Sequence, residues 1–133
     1  MDLRSKLDAS EYRGGIAFRI EEKSPEKVVA KMPVGPDMLN PFGTVHAGAM
    51  IWFADIAATI CAIGDAAVEA TGRGFPLAID LHAVLVANRR DGELTATARP
   101  VRRGSQLTVI RTEVTDADGR LLIDVTTSHV PAR

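Results

Sequence analysis

Asn40-Pro41-Phe42-Gly43-Thr44-Val45-His46-Ala47-Gly48-Ala49-Met50-Ile51-Trp52-Phe53-Ala54-Asp55-Ile56-Ala57-Ala58-Thr59 places one carboxylate, Asp55, in the middle of the most apolar run of the chain. Between Ala47 and Ile63 there is no Lys, Arg, Glu, Asn or Gln. A helix built from this run is buried over most of its circumference and carries Asp55 out of water with it. An ionised carboxylate in such a place is paired, protonated, or set in a cleft that uses its basicity. Backbone N–H groups or a distant Arg would satisfy it equally well, so its neighbours carry the decision.

Outward from the helix the periodicity changes. Upstream, Ile16–Ile20 and Val28–Pro33 read as two short strands joined by the charged turn Glu22-Lys23-Ser24-Pro25-Glu26. Before them, residues 2–8 read as a short amphipathic turn or helix, and Gly14-Gly15 ends it. Gly35 to Gly43 is loop by composition, and the long helix stops near Gly64-Asp65 or about a turn beyond. Downstream, Leu77–Val86, Gly92–Ala98, Leu107–Thr115 and Arg120–Val130 alternate as strands. Arg90-Asp91-Gly92, Arg103-Gly104-Ser105 and Asp116-Ala117-Asp118-Gly119 separate them, as turns do in a meander. Two strands, one long helix and four strands make an α+β chain with one antiparallel sheet packed around a helix.

At 133 residues the expectation is one domain over 1–133. Sixteen basic and seventeen acidic residues nearly cancel, so no general field draws nucleic acid or an anionic membrane, and an anionic ligand must be caught locally. The single cysteine, Cys61, excludes an internal disulfide framework and a cysteine-based zinc site, and a reducing cytoplasm is the expected compartment. The charged start Met1-Asp2-Leu3-Arg4 does not read as a secretory signal. The apolar run carries Asp55 and many small residues, which suits a core helix better than a membrane span. A sheet covers one side of a helix that is apolar nearly all round, so a second copy of the chain is expected to cover the rest.

The chemistry gathers where the helix begins. Its unpaired N–H groups and positive dipole end face the Asn40–His46 loop, a place for developing negative charge. An acyl carbonyl aimed at the N–H of Ala47 or Gly48 would be polarised as in an oxyanion hole. Asn40 could add an amide donor, and His46 could contact a ligand or cap the helix. Asp55 follows His46 by nine residues, roughly on the opposite face, so one chain does not easily bring both to one carbonyl. Two chains with antiparallel helices could. Thr59, four residues after Asp55, could bond the carboxylate, position a water, or bond its own backbone.

The string Asn40-Pro-Phe-Gly43-Thr-Val-His46-Ala-Gly48, with Ala54-Asp55 after it, resembles the signature of hotdog-fold acyl-CoA thioesterases of the phenylacetate-pathway and hydroxybenzoyl-CoA thioesterase group. That resemblance implies a hotdog fold, one antiparallel sheet wrapped around a long central helix. It implies Asp55 as nucleophile or general base, Asn40 orienting thioester or water, and the N–H of position 47 polarising the carbonyl. It also implies a site built across a dimer interface, with dimers paired into a tetramer, and no cofactor beyond the coenzyme A moiety of the substrate. Two positions depart from the pattern. Ala47 stands where the first Gly of His-Gly-Gly is expected, and Ala78 where some members carry a hydroxyl.

For the nucleotide phosphates, Arg102-Arg103-Gly104-Ser105 is the best basic cluster and Arg89-Arg90 the second; both could equally be solvated turns. The leading expectation is hydrolysis of an aryl- or medium-chain acyl-CoA to free acid and CoA. The alternative is a hotdog protein that binds acyl-CoA without hydrolysing it, which Ala47 and Ala78 would suit.

Overall fold

The computed structural model describes residues 16–66 and 68–133, so the expected features at 2–8 and at Gly14-Gly15 lie outside the described residues. Its elements are β1 (Arg19–Ser24), β2 (Lys27–Pro33), a 3-10 turn (Pro36–Met38), α1 (Ala47–Ile63), β3 (Pro76–Leu85), β4 (Glu93–Arg103), β5 (Thr108–Thr115) and β6 (Leu121–Pro131). The strands form one antiparallel six-stranded sheet in the order β1-β2-β4-β5-β6-β3, wrapped around α1. This is the hotdog arrangement.

Period-two alternation turns one face of the sheet toward the helix. Val28, Ala30 and Met32 of β2, Leu94, Ala96 and Ala98 of β4, and Ile123 and Val125 of β6 are fully buried. They meet Met50, Phe53, Ala54, Ala57, Ala58 and Cys61 of α1. The alanines leave the backbone of α1 thinly clad, which lets a curved sheet close around it. Gly64, at φ +51, ends the helix in the left-handed region that favours glycine.

Two expectations are corrected. The last four strands are not a meander, because β3 pairs with β6 at the sheet edge while β4 pairs with β2 and β5. Residues 86–92 therefore cross over, and the Arg90-Asp91-Gly92 turn belongs to a crossing rather than a hairpin. Turn residues bend the chain in either case. The choice is made by burial: β4 alternates against α1, whereas β3 is exposed along most of its length and suits an edge. The other two links are hairpins, with Gly104 donating to the Leu107 carbonyl at 3.0 Å and Asp116 donating to the Arg120 carbonyl at 3.0 Å.

The second correction concerns boundaries. β1 begins at Arg19 and takes in Glu22-Lys23-Ser24, leaving only Pro25-Glu26 as the turn; charged side chains are tolerated because β1 is the opposite, exposed edge. β4 runs past Ala98 to Arg103 through a register shift between Pro100 and Arg102, so Arg102 and Arg103 sit on a strand rather than in the turn.

Candidate active site

Asn40 closes its own loop. Its Oδ1 accepts the N–H groups of Phe42 at 2.9 Å and Thr44 at 3.2 Å, and its Nδ2 donates to Thr44 Oγ1 at 2.7 Å. Gly43 completes the turn at φ +79. One hydrogen of the Asn40 amide remains beyond that set. The loop delivers His46 as the N-cap of α1, its Nδ1 accepting the Gly48 N–H at 3.1 Å. An accepting Nδ1 places the neutral ring's proton on Nε2. Ala49 and Met50 donate to the His46 carbonyl. Ala47 is left as the helix-start amide with no acceptor among the described residues, a free donor at the positive end of the dipole.

Asp55 lies further along the stripe of α1 that its own sheet does not seal: Gly48 is exposed, and Ile51, Trp52, Asp55, Ile56 and Thr59 are part-exposed. Burial pushes the Asp55 carboxyl above its usual range, and the nearby His129 imidazole works against that shift. Among the described residues no hydrogen bond reaches the Asp55 carboxylate, from Thr59 or elsewhere. Eight residues of helical rise separate Ala47 from Asp55, about 12 Å along the axis, so one carbonyl cannot touch both within a chain. Ala78 is exposed on β3.

The basic clusters are largely committed. Arg103 donates from Nη1 to the Ala62 carbonyl at 3.0 Å and from Nη2 to the carbonyls of Cys61 and Pro25, both at 2.8 Å, so its guanidinium closes the C-terminus of α1. Arg102 and Ser105 are exposed, with Gly104 at the turn. Arg89 pairs with Asp118 at 3.0 Å and Asp116 at 3.3 Å, and Arg90 Nη1 donates to the Phe42 carbonyl at 2.8 Å.

The structure adds His129, 1% exposed on β6, its Nε2 2.8 Å from Thr127 Oγ1 and its Nδ1 3.4 Å from the Pro76 carbonyl. Burial pushes its pKa down, with Asp55 among the charges opposing the shift. The alternation of Ile123, Val125, Thr127 and His129 on the inward face was the signal in the sequence. It also lines a 310 Å³ cleft with Ala62, Ile63, Pro76, Arg103 and Ser105.

A sequence profile described as "Domain of unknown function (DUF4442)" matches residues 7–130. The chain belongs to the DUF4442 family. This DUF4442 chain is 28% identical over 112 residues to the 1,4-dihydroxy-2-naphthoyl-CoA hydrolase of Escherichia coli (strain K12), covering 81% of this chain and 76% of that protein. Its fold matches a mutant thioesterase from Pseudomonas aeruginosa with TM-score 0.79 and 25% identity, over 96% of this chain and 93% of the other. It also matches a hypothetical thioesterase protein with coenzyme A from Streptococcus pneumoniae TIGR4 with TM-score 0.76 and 20% identity, over 87% and 86%. The DUF4442 chain thus has the fold of hotdog thioesterases; these likenesses do not single out the phenylacetate-pathway or hydroxybenzoyl-CoA group. No helix among the described residues is long and apolar enough to cross a membrane.

Proposed function

We propose that this protein is an acyl-CoA thioester hydrolase acting on aryl- or medium-chain substrates: water adds to the thioester carbonyl, the carbon–sulfur bond breaks, and free acid and CoA thiol leave. The observation that carries the reading is the division of labour at the start of α1. His46 holds the Gly48 N–H, which leaves the Ala47 N–H free to receive the carbonyl oxygen. Asp55, raised in basicity by burial, acts as general base toward water or as nucleophile. Asn40 shapes the loop and offers its remaining amide hydrogen, and Thr59 orients water beside Asp55. The curated relative's name specifies an aryl-CoA substrate, which supports the substrate class.

The 12 Å between donor and base calls for two chains, Asp55 of one facing the Ala47 amide of its partner. Edge strand β3 supports such a pairing, since Leu77, Ile79, Leu81, Val84 and Leu85 are 40–58% exposed along a ladder unpaired among the described residues. Dimers then pair into a tetramer, in the cytoplasm, with no cofactor. Arg102, Gly104 and Ser105 are the groups offered to the CoA nucleotide, with Arg103 holding the helix behind them.

Thiol release from a panel of aryl-, short-, medium- and long-chain acyl-CoA thioesters tests the reading, with Asp55→Asn alongside. Turnover that falls at least about 1000-fold in the variant, with fold and assembly intact, is the expected result. An Asp55→Asn enzyme at full rate overturns the mechanism. Measurable acyl-CoA affinity with silence across the panel assigns the site to binding alone, Ala47 having narrowed the thioester slot with its methyl group.

A further inference from the structure

Three hydrogen bonds tie the crossing between β3 and β4 to the loop ahead of α1. The Val45 N–H donates to the Arg89 carbonyl at 2.9 Å, Asn88 Nδ2 to the Val45 carbonyl at 2.8 Å, and Arg90 Nη1 to the Phe42 carbonyl at 2.8 Å. The Arg90 guanidinium lies so close to the loop that a Cβ at Gly43 would come within 2.9 Å of Nη1. The crossing is itself anchored from behind. Arg120 Nη2 donates to the Asn88 carbonyl at 2.6 Å, and Arg89 pairs with Asp116 and Asp118. Asp116 is 4% exposed and accepts the N–H groups of Asp118 and Arg120, each at 2.9 Å.

We propose that Arg90 is a positioning residue, a strut between the crossing and the Phe42 carbonyl that sets the direction of the Ala47 N–H. The inference rests on the thioesterase reading for its consequence, and it removes Arg90 from the groups offered to CoA phosphates. Asn40 shapes the loop from within, but its bonds all lie inside residues 40–44 and cannot fix how that unit sits against the sheet. Arg90, Asn88 and the Arg89 carbonyl supply that outer reference. A shift of about 1 Å in a catalytic donor costs on the order of 100-fold in rate, so a modest exposed bond has a large lever.

The test compares wild type, Arg90→Ala and Arg90→Lys by amide hydrogen exchange of the unliganded protein and by steady-state thiol release, with free CoA as inhibitor. In Arg90→Ala the Gly43 and Val45 amides exchange about tenfold faster, while those of β4 to β6 keep their rates. The kcat falls about 10- to 100-fold, and KM and the CoA inhibition constant stay within about twofold. Arg90→Lys restores part of both. If Arg90→Ala fails to fold, Arg90→Gln is read in the same way. Unchanged exchange in the 40–46 loop overturns the strut. So does a raised KM and CoA inhibition constant with kcat retained, which assigns Arg90 to the ligand. If wild type releases no thiol from any thioester, the thioesterase reading fails by itself, and exchange alone decides the strut.

Discussion

At Asp55 the protein carries a carboxyl whose folded pKa is raised by burial. The folded chain therefore binds this proton more tightly than the unfolded chain, whose Asp titrates at about 3.9. Stability from this group falls as pH rises from that value through the raised folded one. Asp55→Asn is thus expected to raise the thermal midpoint at neutral pH while abolishing turnover, with the gain vanishing below about pH 4; thermal scans against pH check it. His129 has the opposite sign. Burial lowers its folded pKa, so the unfolded chain binds more protons once pH drops below about 6.5, and stability is lost on acidification through that window. His129→Asn should show a shallower loss of thermal midpoint between neutral and mildly acidic pH. An equally steep decline would mean that burial leaves the His129 pKa where the unfolded chain has it.

Helix α1 is held differently at its two ends. At the N-terminus an imidazole does the work of the usual Ser, Thr or Asp cap, and His46→Ala should cost about 1 kcal/mol in chemical denaturation. It should also cost turnover, because the uncapped first turn no longer holds the neighbouring Ala47 amide in a fixed direction. At the C-terminus Arg103 meets two last-turn carbonyls, Cys61 and Ala62, and ties them to the Pro25 carbonyl of the β1–β2 turn. Arg103→Ala is expected to lower stability by about 1 to 2 kcal/mol, the exposed setting discounting a larger value. The KM for acyl-CoA should barely move. A several-fold rise in KM without loss of stability would instead return Arg103 to the nucleotide, as its place in the Arg102–Ser105 cluster suggests from sequence.

For the molecule as a whole, the stripe of α1 that its sheet leaves unsealed and the apolar edge β3 are uncovered among the described residues of one chain. If both are covered by a second copy, a charge on β3 separates the copies and inactivates them together. Ile79→Lys, at a position 58% exposed in the single chain, is expected to give a folded monomer by light scattering, with thiol release lost. A monomer that kept full activity would show that Ala47 and Asp55 of one chain suffice.

The period-two alternation and one long apolar run sufficed for the α+β class, because burial patterns repeat with the geometry of the element that carries them. The Asn40–His46 turn and the raised basicity of Asp55 were legible for the same local reason: a loop followed by a helix start, and a charge among alanines. Strand order was not legible. Gly92 turns the chain whether the next strand lies beside β3 or across the sheet, and only the closing of β4 between β2 and β5 settles which. Nor could sequence separate Arg90 from Arg89, or assign Arg103 to a helix end. A guanidinium finds its acceptor among carbonyls distant in the chain, at Phe42, Ala62, Cys61 and Pro25, and that choice exists only once the sheet has brought them within reach.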